Sequence, residues 1–138
     1  MSTTQTIFAN EYATLMYHPD SRIVHHIFHK PIGGESFRQV LTRGVEVLEQ
    51  NGADKWLSDD RLNASVPQED GAWGMSVWAP RAHAAGWKYW AIVVPESIAG
   101  RVNMQQFIDD NLNKGKGRLR VMVFIDPVEA QQWLENQV

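Results

Sequence analysis

The chain has no cysteine among its 138 residues. That excludes a disulfide framework, a thiolate nucleophile and any cysteine-ligated zinc or iron–sulfur centre. A domain that folds without cross-links fits a reducing compartment, so a cytoplasmic location is expected. No apolar run approaches the roughly 20 residues that cross a bilayer. The opening segment, MSTTQTIFANEYA, lacks the basic start and apolar centre of a signal peptide. Basic excess is also missing: 13 Lys and Arg stand against 16 Asp and Glu, a net charge of −3. A protein held to nucleic acid by phosphate neutralisation needs the opposite balance, so no nucleic-acid partner is expected. Gly33-Gly34 and Gly115-Lys116-Gly117 lack the spacing of a phosphate-binding loop. Neither a G-x-S-x-G elbow nor an H-E-x-x-H pair occurs, and no cofactor is expected.

What is present is aromatic. Five of the six tryptophans fall between Lys55 and Pro95. This stretch begins on a short strand pattern, passes the charged triplet Asp59-Asp60-Arg61, and ends on the apolar run Trp90 to Val94. Tryptophans at this density line a core, a pocket or a subunit interface.

Hydrophobic periodicity places the remaining elements. Residues 1–9 are polar and are expected to be a flexible N-terminus, followed by one domain over 10–138. Residues 11–17 and 22–28 read as strands joined by the turn His18-Pro19-Asp20-Ser21. Phe37, Val40, Leu41, Gly44 and Leu48 form one stripe of a helix over 35–51 that stops at Asn51-Gly52. A strand over 55–58 follows. A second helix is predicted to start near Ser65, with Trp73, Val77 and Ala84 on one face and a kink or restart at Pro80. Strands over 87–94 and 119–125 flank a helix over 97–113, and a last helix spans 127–136, capped by Asp126. The expected fold is therefore α/β. It has a single five-stranded, mixed and mostly parallel sheet with about four helices, in the order β-β-α-β-α-β-α-β-α.

Three groups of residues could carry function. Asp59, Asp60 and Arg61 lie at the C-terminal end of a central strand, where open α/β sheets bind ligands. They could hold a ligand or cation, or serve only as a backbone cap and an ion pair, and neighbours on an extended chain point to opposite sides. His25, His26 and His29 are too far apart along a strand to share one metal ion. Trp78 lies five residues after Trp73, about 140° away on a regular helix, so both cannot face the core. Trp78 is thus a candidate pocket wall or interface residue.

Trp56-Leu-Ser-Asp-Asp-Arg61, Trp78-Ala-Pro80 and Gly86-Trp-Lys88, followed by an apolar run ending at Pro95, resemble the STAS-like or SpoIIAA-like family, in particular a subgroup of small bacterial proteins. The resemblance covers nearly the whole domain by element order and about 40 residues by motif. It implies a non-enzymatic interaction or regulatory module, whose partners would be a second copy of the chain, a regulatory protein or a small apolar ligand. The family's anti-sigma-factor antagonists switch by phosphorylation at the start of the helix after the third strand. Their Asp-Ser-Ser/Thr-Gly signature is absent, and Ser65 is the nearest residue by position. The alternative is a lipid or small-molecule carrier, or a small enzyme, using the crevice at the end of that strand.

Overall fold

A computed structural model of the chain describes residues 3–63 and 66–137, the side chain of Ala99 excepted. Six strands form one sheet in sequential order: β1 (Gln5–Ala9), β2 (Ala13–His18), β3 (Ile23–Phe28), β4 (Lys55–Asp59), β5 (Tyr89–Val93) and β6 (Arg120–Phe124). The first two pairings are antiparallel and the last three parallel. The architecture is thus a mixed α/β sheet with helices on both faces, and the five-strand expectation is corrected to six. The element order becomes β-β-β-α-β-α-β-α-β-α, with three strands before the first helix.

The additional strand lies in the stretch that its polar composition had left outside the sheet. Thr6, Ile7 and Phe8 suit a strand but are too few to announce one. The neighbour supplies the rest: β1 pairs with β2 across a register shift between Thr6 and Phe8. Asn10 makes the corner, its Oδ1 accepting from the backbone N–H groups of Tyr12 and Ala13. A short, bulged strand is how many sheets end an exposed edge.

The three crossover connections all step in the same direction across the sheet. With uniform handedness, such steps place every connecting helix on one face. Accordingly α1 (Gly34–Asn51), the helical segment over 68–84, and α4 (Ile98–Gly115) share the larger core cluster with Val24, Trp56, Trp90 and Ile92. On the opposite face, α5 (Pro127–Glu135) packs Ala130 and Leu134 on Ile23, Leu57, Ala91 and Val93. The period-2 alternation of β3, β4 and β5 serves both cores, which is why these strands are buried along almost their whole length, polar residues of β3 and β4 included.

Helix α1 buries the predicted stripe of Phe37, Val40, Leu41, Gly44 and Leu48, with Gly52 in the left-handed conformation ending it. Gly44 is required by contact: a Cβ there would lie 2.2 Å from the ring of Trp56. The segment over 68–84 departs from a regular helix. It runs as α2 (Gln68–Trp73), a π turn (Gly74–Trp78) and α3 (Ala79–Ala84). The Ala79 N–H reaches the Gly74 carbonyl, one residue further back than in an α-helix. Pro80 follows in the first turn of α3, so the break expected at this proline takes the form of a π turn ahead of it. The wider turn stacks i over i+5. Trp73 and Trp78 therefore both face α1, where Trp73 meets Phe37 edge-on and Trp78 donates to the Leu41 carbonyl. The face predicted for Trp73, Val77 and Ala84 is overturned for the same reason, and Val77 is exposed. Among the described residues, no helix is long and apolar enough to cross a membrane.

Candidate functional site

Between the sheet and the helices of its larger face lies a half-open cavity of about 400 Å³. Its floor comes from alternate residues of adjacent strands: His26 and Phe28 on β3, Trp56 and Ser58 on β4, and Trp90 on β5. Parallel pairing sets His26 beside Ser58 and Trp56 beside Trp90. Phe37 and Leu41 of α1, Met75 and Trp78 of the π turn, and Met104 and Phe107 of α4 complete the walls. Trp78 lies between Trp56 and Trp87, with ring centroids 5.4 and 5.1 Å away in edge-on geometry. Burial of each large ring contributes on the order of 3 kcal/mol, so this wall is also much of the core.

Asp60 is the polar centre of the cavity, although only 4% of its surface is exposed. Its Oδ1 accepts from His26 Nε2 at 2.7 Å. The Trp56 indole N–H donates to His26 Nδ1 at 2.9 Å. An indole N–H can only donate, so Nδ1 carries the lone pair and Nε2 the proton. His26 is thereby held in one neutral tautomer with both nitrogens engaged. Ser58 sits next to it in register, and its Oγ accepts from the Trp90 indole at 2.8 Å. With Nδ1 and Nε2 both engaged, His26 has no lone pair to take a proton from Ser58. Nucleophilic catalysis needs that acceptor.

The neighbouring Asp59 points to the other face, as alternation requires. It holds Arg61 through two hydrogen bonds of 3.0 and 2.9 Å, which raise the guanidinium pKa above its ordinary value. The triplet is therefore divided. Asp60 belongs to the cavity, while Asp59 and Arg61 form an ion pair outside it. Trp78 lines the cavity and is also buried in the core, because the π turn brings it to the same side as Trp73, against the regular-helix spacing that set the two apart. Ser65 lies outside the described residues. Of the three histidines, only His26 reaches the cavity. His25 Nδ1 is 3.0 Å from His18 Nε2 on the opposite face, and His29 Nε2 is 2.8 Å from Thr14 Oγ1. Among the described residues, no three His, Asp or Glu side chains gather as a metal site.

Ser58 went unrecognised in the sequence, and His26 was weighed there only as a metal ligand. The available signal was the alternation Trp56-x-Ser58-x-Asp60, polar residues continuing a face that begins on a buried tryptophan.

A latch holds the helical wall over the cavity. Asp70, 1% exposed, accepts from the Gly34 N–H at 2.7 Å and from Arg38 Nε at 3.1 Å. A buried carboxylate on one helix thus binds the N-terminus of another, where the dipole favours it. At Gly33 a Cβ would fall 2.7 Å from Pro67, so the two segments touch backbone to ring.

Comparison of the chain with protein-family models, curated proteins and solved structures found no match.

Proposed function

We propose that this protein is a small-molecule binding or carrier protein whose ligand occupies the aromatic cavity over β3, β4 and β5. The cavity volume of about 400 Å³ falls in the range that takes drug-sized ligands. The lining is predominantly apolar, with a few converging polar groups, Asp60, Ser58 and Asn63, to orient a bound molecule. The engaged state of His26 favours binding over catalysis.

The test is titration with Nile red, a neutral apolar probe, followed by its emission and by quenching of the tryptophans. Saturable binding is expected, and it should be lost in Gly71→Phe and Met104→Trp. Both positions line the cavity, and a Cβ on Gly71 meets open space. Folded variants that bind as tightly as the parent would refute the assignment.

A second function, that of a STAS-like interaction module, draws support from the far edge of the sheet. Strand β6 ends the strand order, and Met122 and Val123 within it and Ile125 just after it are exposed. Such an edge can pair with another chain. Light scattering across a concentration series would detect pairing between copies, and a monomer at every concentration would remove the homodimer form of this reading.

A further inference from the structure

We infer that the cavity selects a monocationic ligand, an amine on an aromatic or aliphatic body, and rejects carboxylates of the same shape. This inference rests on the cavity-binding function and names the chemistry of its ligand.

The hydrogen bonds leave an uneven inventory. All four indole N–H groups in the wall are engaged within the protein: Trp56 on His26, Trp78 on Leu41, Trp87 on Tyr89 and Trp90 on Ser58. Asp60 uses Oδ1 for His26, and among the described residues its Oδ2 has no hydrogen-bond donor. The side chain is 5% exposed and lines the cavity. Among the described residues it meets a neutral imidazole and no cationic partner. A poorly solvated carboxylate oxygen without a donor gains from a ligand that supplies one.

The surroundings have the same sign. Asp60 and Asp110 are among the lining residues, and among the described residues no lysine or arginine is. An anionic ligand would find no countercharge. A cation would find the rings of Trp56, Trp78, Trp87, Trp90 and Phe107, packed within 5.1–6.5 Å of one another. Aromatic walls with a carboxylate are the chemistry that recognises ammonium groups, through ring quadrupoles and a charge-assisted hydrogen bond. Asn63, 3% exposed, adds a donor at the rim: its Oδ1 accepts from the Ile32 N–H, and among the described residues its amide N–H₂ has no partner. That donor suits a polar substituent, such as a hydroxyl or carbonyl, near the amine.

The experiment is isothermal titration of the intact protein at pH 7 with diphenylpropylamine, diphenylpropanol and diphenylpropanoate, three ligands of one shape. The amine should bind at least about tenfold more tightly than the alcohol, because both can donate to the carboxylate but only the ammonium also neutralises its charge. The acid should bind more weakly than the alcohol. Asp60→Asn should bring amine and alcohol to within about twofold of each other. Should that variant fail to fold, the downfield Nε2–H resonance of His26 in the parent protein supplies the second measurement. It should move on addition of the amine and stay fixed on addition of the acid. An acid that binds as tightly as the amine, or an amine preference that survives Asp60→Asn, overturns the inference. Alcohol and amine binding equally would also overturn it, yet leave cavity binding standing. Failure of all three to bind would remove both.

Discussion

His25 and His26 are adjacent in the chain and nearly equally buried, at 7% and 3% exposure, yet the sheet gives them opposite environments. His26 faces the aromatic cavity and has a partner on each nitrogen. His25 faces the other layer, shares Nδ1 with His18, and has a buried Nε2 that finds no partner among the described residues. Burial is the largest cause that lowers the His25 pKa from 6.5 to about 3, followed by repulsion from His18 and His26, with Asp59 opposing. The pair teaches that depth alone does not set the chemistry of a polar group. What matters is which neighbours the pleat brings to its ring.

The comparison can be broken most severely on the cavity side. Trp56→Ala removes a fully buried ring that fills the space over Gly44 and donates to His26. A loss of about 3–5 kcal/mol is expected in urea unfolding, the usual cost of truncating a core aromatic residue.

On the opposite face, pH is the more informative probe. The folded His25 binds its proton only near pH 3, whereas the unfolded residue binds it near 6.5. Between those values the unfolded chain holds more protons, so stability falls as pH drops through this window. The slope from this residue is about 1.4 kcal/mol per pH unit, ending below the folded pKa. Burial also lowers the pKa of His18 and His83, which adds in the same direction. Urea unfolding at several pH values should show the slope, and His25→Phe should flatten it. An unchanged slope in that variant would mean that His25 is not the group responsible.

Smaller effects separate the ways in which the two helical layers are attached. Asp70→Ala should cost about 1–3 kcal/mol, because it strands the Gly34 N–H and unpairs Arg38. It should also loosen the cavity wall, visible as faster amide exchange in α2. Asp126→Ala removes the cap on Val128 at the start of α5 and should cost about 1 kcal/mol. Amide exchange in α2 should then stay as it was, since α5 lies across the sheet.

Much of the fold was legible because its signals are local. The stripe on α1, the proline and aspartate opening α5, and the β-branched runs of β3 and β5 each declare an element within a few residues. β1 was not legible, since its pairing with β2 supplies what five residues cannot. The π turn was not legible either. Pro80 marks a disturbance, but the form of that disturbance depends on seating Trp73 and Trp78 together against α1.

The site divides along the same line. Sequence alone established that Asp59 and Asp60 point apart, because alternation along a strand is a property of the backbone. It also singled out Trp78 and placed the region of interest at the end of β4. Only the tertiary structure decided which aspartate meets the cavity, that Trp56 and Asp60 hold His26 in one tautomer, and that the second oxygen of Asp60 has no donor among the described residues. Those contacts join residues 30 and 34 positions apart. They exist because parallel strands, separated by whole helices in the chain, lie side by side in the sheet.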